Sequence, residues 1–337
     1  MMGIELPVIW AVIILFSIMM YIVMDGFDLG LGILFPFFKE KEERDIMMHT
    51  VAPVWDGNET WLVLGGAGLL AAFPLAYSVI LSALYLPIIF MLIGLIFRGV
   101  AFEFRFKALD HERHFWDKAF IGGSVCATFF QGVTLGAYIQ GLPVVDRVYA
   151  GGSLDWISWF SVFTGLGLVI AFALLGSTWL ILKTEGALHE RALAISRYLA
   201  WIMLAAIIVI SVWTPLLDEK IAARWFSFPN ILWFSPVPFM VIAFTFLLLH
   251  SVKNRAHVKP FIFTLGLIFL GFSGLGISLW PNIIPPDISI WQASSPPQSQ
   301  GFALVGALFI IPIILVYTFW AYYVFRGKIK AGMGYDH

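Results

Sequence analysis

The chain has 337 residues, 60% hydrophobic and 12% charged, with a formal net charge of −1 and a mean hydropathy of +0.90. A soluble globule carries about 25% charged residues, so this composition excludes a soluble domain, and it offers no basic surface to nucleic acid. Uncharged runs of about 20 residues recur along the whole length, each able to cross a hydrocarbon core about 30 Å thick as a helix.

Nine apolar segments follow in order, at about 7–35, 54–72, 75–97, 117–139, 156–182, 198–216, 231–251, 260–280 and 302–325. They predict an all-α integral membrane protein with nine transmembrane helices in a single domain, 1–337. The first segment lacks the basic n-region and small-residue cleavage site of a removable signal peptide. Basic residues divide unevenly between the connections. Lys39, Lys41, Arg44, Arg98, Arg105, Lys107, Arg113, Lys118, Lys183, Arg191, Arg197, Lys253, Arg255, Lys259, Arg326, Lys328 and Lys330 fall in alternate connections and the C-terminal tail. Arg147, Lys220 and Arg224 fall in the others. By the positive-inside rule the N-terminus is then outside and the C-terminus cytoplasmic.

Segment one is uncharged from Leu6 to Met24, and Asp25 and Asp28 follow near the cytoplasmic boundary. A spacing of three places both acids on one helix face, and Gly26, Gly30 and Gly32 permit a close helix neighbour. After a short charged loop at 39–52, Pro53 suits a first helical turn. Asp56 and Glu59 come next, flanked by Trp55 and Trp61. First-turn acids can answer the helix dipole, and interfacial tryptophans can form a belt. Two acids and two tryptophans within seven residues exceed what either role needs. Ionisable groups at membrane depth mark ion or proton paths, so Asp25, Asp28, Asp56 and Glu59 are the candidate site.

These strings resemble subunit II of cytochrome bd-type quinol oxidases. The match is carried by Asp25 to Leu34 (DGFDLGLGIL), Pro53 to Leu62 (PVWDGNETWL), Gly65-Gly66, Ala71 to Pro74 (AAFP) and Phe97 to Arg105 (FRGVAFEFR), in the family's order and spacing. In length and N-terminal wording the chain is also similar to the cyanide-insensitive branch. The resemblance implies two four-helix bundles plus one extra helix in a bacterial inner membrane. It also implies a complex of the aerobic respiratory chain that oxidises quinol and reduces dioxygen to water, taking its protons from the cytoplasm. In such a complex the haems, b and d or b only, belong to the partner subunit I. Some relatives hold a structural quinone in this subunit or add a small single-helix accessory subunit. The implied role of this chain is a haem-free subunit without catalytic or metal-binding residues, contacting lipid and subunit I, with a proton path and an oxygen route.

The next expected loop runs from Arg98 to Lys118. Within it Glu103 lies inside the matching string and Asp117 opens segment four, so both join Asp25, Asp28, Asp56 and Glu59 on the candidate proton path. Trp55 and Trp61 are candidates for the oxygen or quinone entrance, since an aromatic body suits both lipid and water. Segments four and five offer Gln131, Gln140 and hydroxyls, and Cys126 reads as packing. Trp213-Thr-Pro215 should kink or end its helix. The proline-rich stretch 281–301 reads as an external linker.

The histidines, His49, His111, His114, His189, His250, His257 and His337, avoid the middle of every segment. Haem takes an axial His, Met or Cys, so the sequence places no haem here. A proton-coupled secondary transporter would instead need paired interrupted helices, which the sequence does not show. A purely structural subunit, its acids only pinning helices together, is the other alternative.

Overall fold

The computed structural model describes residues 5–329; Lys330 and His337 lie outside them. In chain order the helices are α1 (Leu6–Leu34), α2 (Lys41–His49), α3 (Trp55–Ala72), α4 (Pro74–Ala83), α5 (Tyr85–Lys107), α6 (Arg113–Ile139), α7 (Trp159–Lys183) and α8 (Gly186–Leu217). Then come α9 (Glu219–Phe226), α10 (Asn230–Phe234), α11 (Pro236–Lys253), α12 (Lys259–Leu279), α13 (Ile290–Ala293) and α14 (Pro297–Val324). Two small antiparallel ribbons complete the structure. One joins β1 (Val144–Val145) to β2 (Val148–Tyr149), the other β3 (Asn282–Ile284) to β4 (Ile288–Ser289).

Among the described residues, eight helical stretches are long and apolar enough to cross a membrane. The remaining expected segment, α3, is an 18-residue helix whose first turns carry Asp56, Asn58 and Glu59, and it falls outside this set. The helices group as two sets of four. In one, α1 packs on α3 and α6, and α5 on α6; in the other, α7 packs on α8 and α12, and α11 on α8 and α12. Contacts of α1 with α7 and of α6 with α7 join the sets, while α14 lies along α1 and α3. Glycine sets the closest crossings. A Cβ on Gly30 would land on the Phe172 carbonyl of α7, and one on Gly94 of α5 would lie 2.6 Å from the Ala127 nitrogen of α6.

Three expectations need correction. The segment 75–97 is two helices, α4 and α5, broken at Leu84, and α5 runs on to Lys107. The expected loop Arg98–Lys118 therefore shrinks to residues 108–112, and both Arg98 and Arg105 are buried within a helix. Each arginine finds carboxylates there, which is what makes a buried guanidinium tolerable. Likewise α8 begins at Gly186, so Arg191 and Arg197 lie on a helix and not in a loop; Pro215 is inside α8, which ends two residues later. The stretch 281–301 is not an open linker. Its Ile284, Ile290 and Ala293 are buried with Trp10, Phe73, Ala76 and Leu142, forming an apolar cap over one end of α1 and α4.

Candidate functional site

The α1 acids point inward. Asp25 and Asp28 are both fully buried, brought to one side by their spacing of three and closed in by the glycine crossings beside them. From α5, Arg98 reaches between α1 and α3, where its Nη2 donates to Asp25 Oδ1 at 2.5 Å and to Glu59 Oε1 at 2.6 Å. Arg98 and Asp25 are wholly enclosed, whereas 30% of the Glu59 side chain meets the surroundings. Glu59 is thus the open edge of the cluster. The guanidinium lies 5.7 Å from the Trp55 ring and 5.8 Å from Phe102. Those two rings stack on each other at 5.3 Å, giving the cation an aromatic wall.

Asp28 has a different partner. Asn58 Nδ2 donates to Asp28 Oδ2 at 2.7 Å and to the Met24 carbonyl at 3.1 Å, and Tyr322 of α14 donates to Asn58 Oδ1 at 2.9 Å. One turn before Asp25, the Tyr21 hydroxyl accepts from Gln131 of α6 at 2.6 Å. Buried polar atoms in proteins are almost always paired, yet Asp25 Oδ2, Asp28 Oδ1, Arg98 Nε and Arg98 Nη1 find no partner among the protein's own groups. Three carboxyl groups thus surround one permanent cation. They cannot all be ionised without leaving buried charge uncompensated.

The structure gathers only part of the expected set. Asp25, Asp28 and Glu59 come together. Asp56, one turn before Glu59, is exposed and close enough for its charge to act on Glu59. Glu103 is solvent-facing, with Lys107 3.9 Å away. Asp117 belongs to a second ionic group, where Arg105 Nε donates to its Oδ1 at 2.6 Å and Arg44 Nη1 to its Oδ2 at 2.7 Å. Arg105 also reaches Asp45 at 2.6 Å, so this group ties α2, α5 and α6 together. Outside the spans, the hydrogen bond and charge of Lys41 beside Asp110 hold that carboxyl below its ordinary range. Trp61 is fully buried and meets Phe16 edge-on at 5.7 Å. Trp55 is half-buried against Arg98.

Sequence reasoning missed Arg98, Asn58, Tyr322, Tyr21 and Gln131 as members of this site. A signal for Arg98 existed: Gly94, Arg98, Phe102 and Arg105 recur at helical spacing and would share one face of a helix continued past residue 97. Tyr322 had none, since its partner lies 264 residues away.

Haem is implied for the complex by the resemblance, and among the described residues no histidine lies at mid-span. His49 ends α2, His250 lies in the last turn of α11, and His189 opens α8 with its Nδ1 against the Ile181 carbonyl. Among the described residues, no group of three or more His, Cys, Asp or Glu could hold a metal ion.

Comparison with known proteins places these residues in context. A family model described as cytochrome bd terminal oxidase subunit II matches residues 6–325. The probable cytochrome oxidase subunit 2 of Haemophilus influenzae is 30% identical, the alignment covering 96% of this chain and 95% of that protein. The cytochrome bd-I ubiquinol oxidase subunit 2 of Escherichia coli strain K12 is also 30% identical, over 95% of this chain and 94% of that one. For the cytochrome bd ubiquinol oxidase subunit 2 of Bacillus subtilis the identity is 27%, with 96% of each chain covered. In three dimensions the chain is similar to one in the bd oxidase of Geobacillus thermodenitrificans, with a TM-score of 0.75 at 19% identity, covering 93% of this chain and 98% of that one.

Proposed function

The chain belongs to the cytochrome bd terminal oxidase subunit II family, and from that footing we propose that it is the haem-free subunit that carries cytoplasmic protons toward the oxygen-reducing centre of a quinol oxidase. It is a multi-pass protein of the bacterial inner membrane and part of an oxidoreductase complex that contains haem and subunit I. When bound in that complex, the haems supply the redox chemistry. The absence of a mid-span histidine among the described residues supports assigning them, b and d or b only, to subunit I.

The observation that carries the proton role is the buried cluster of Asp25, Asp28, Glu59 and Arg98. Glu59, partly open, takes up a proton with Asp56 as a negative charge at the mouth. Arg98 Nη2 bonds both Glu59 and Asp25, so the two carboxyls lie within one guanidinium's reach. Asp25 and Asp28 each keep one unpaired buried oxygen, the atoms on which an arriving proton or mobile water would be held. Arg98 remains charged throughout and keeps the proton load of the acids from becoming permanent. Glu103 and Asp117 are then peripheral, the first a surface acid and the second a structural pin. Trp61, in the seam of α1 and α3, and Trp55 remain the candidates for the apolar route of oxygen or a quinone tail. Quinol, membrane lipid, a structural quinone and a small accessory subunit complete the proposed set of partners.

The first test is a reduced-minus-oxidised optical spectrum of the complex purified through a tag on this chain, beside the same spectrum of the chain expressed alone. Haem bands should accompany the complex and vanish from the isolated subunit. A complex that retains its partner subunit but shows no haem would overturn the assignment and favour the transporter reading.

A further inference from the structure

We propose that Asn58 and Tyr322 are positioning residues for Asp28, so that α14 sets the state of the acid cluster through one chain of hydrogen bonds. This rests on the proton-path reading of the same site. Asn58 is 2% exposed, and its amide can face only one way. The Met24 carbonyl is purely an acceptor, so the group 3.1 Å from it must be the NH2. That nitrogen also serves Asp28 Oδ2 at 2.7 Å. A flipped amide would set its oxygen against two acceptors and leave both Asp28 oxygens without a donor.

With the nitrogen committed to two acceptors, the amide oxygen needs a donor of its own. Tyr322 supplies it at 2.9 Å. The phenol is itself held by packing: its ring meets Phe27 edge-on at 6.4 Å and Trp179 at 6.2 Å. Phe27 lies between the two acids in sequence and stacks on Trp179 at 4.1 Å. Close to this end of α14, Lys183 Nζ donates to the Phe325 carbonyl at 2.5 Å. Most of the remaining α14 surface faces outward, from Phe302 at 85% exposed to Trp320 at 63%. A shift of α14 is therefore transmitted to Asp28 through Tyr322 and Asn58.

The test is infrared difference spectroscopy on the assembled oxidase in its wild-type, Asp28→Asn, Asn58→Leu and Tyr322→Phe forms. The band lost in Asp28→Asn identifies the protonated Asp28 carboxyl. That band should move to higher frequency in Asn58→Leu, as its C=O loses a donor, and move less far in the same direction in Tyr322→Phe. Tyr322→Phe removes one oxygen and keeps the packing, so it remains informative if Asn58→Leu fails to assemble. No carboxyl band lost in Asp28→Asn, or a band at the wild-type frequency in every variant that assembles, would overturn the proposal. Wild-type turnover in Asp28→Asn combined with the band shift would instead sink the proton-path reading and leave the positioning intact.

Discussion

Replacing Arg98 by leucine should be among the most damaging single changes in this chain. Its side chain and that of Asp25 have no exposure, and the ion pair is 2.5 Å long. At an effective dielectric constant of about 20, charge centres about 4 Å apart attract by about 4 kcal/mol. Removing one partner of such a pair typically costs about 3–5 kcal/mol, because the other charge stays buried. At tenfold per 1.4 kcal/mol, Arg98→Leu should lower the folded-to-unfolded ratio by about 10² to a few times 10³. The double variant Arg98→Leu/Asp25→Leu removes both charges and should recover at least about 1–2 kcal/mol of that loss, since apolar replacement of a whole buried pair is often close to neutral. Chain abundance in membranes and thermal retention of the haem-containing complex in detergent would measure both. An Arg98→Leu complex as stable as wild type, or a double variant no better than the single, would refute the reasoning.

The acids should separate by position. Glu59→Gln and Asp28→Asn should each slow oxygen consumption at least tenfold at unchanged haem content, within the range removal of a proton-transfer group produces, whereas Asp56→Asn should slow it only about twofold because it acts by field alone. Asp117→Asn should do the reverse, lowering the yield of assembled complex by leaving the 2%-exposed Arg105 short of one carboxylate, while turnover per haem stays within about twofold of wild type. Gly30→Ala should separate α1 from α7, since its Cβ would land on backbone and not on a movable side chain; overpacking of this kind costs about 1–3 kcal/mol and would appear as a lower melting temperature of the complex.

Much of this architecture is legible in the sequence because hydropathy reports the solvent that each stretch must face. The expected starts of α1, α3 and α12 fall within a residue or two of those observed. One cause misplaces Arg98, Arg105, Arg191 and Arg197: a charge ends an apolar run in a hydropathy reading, whereas in the fold each of the four lies within a helix. For Arg98 and Arg105 the charge is met by Asp25, Glu59, Asp45 and Asp117, partners that become visible only when distant segments come together. The same holds for Asp28, whose Asn58 partner sits in a string already marked as unusual but whose Tyr322 support comes from the far end of the chain. Asp56 and Glu59, adjacent candidates in the sequence, part in the fold: Asp56 lies at the surface and Glu59 turns toward Arg98.

The most direct test of the central claim is oxygen-driven proton uptake in proteoliposomes containing the complete oxidase, with Asp25→Asn and Asp28→Asn compared with wild type at equal haem content. Both variants should keep their haem spectra and lose at least tenfold in turnover and proton uptake together. Wild-type rates of both in fully assembled variants would contradict the account and leave the buried acids a structural role alone.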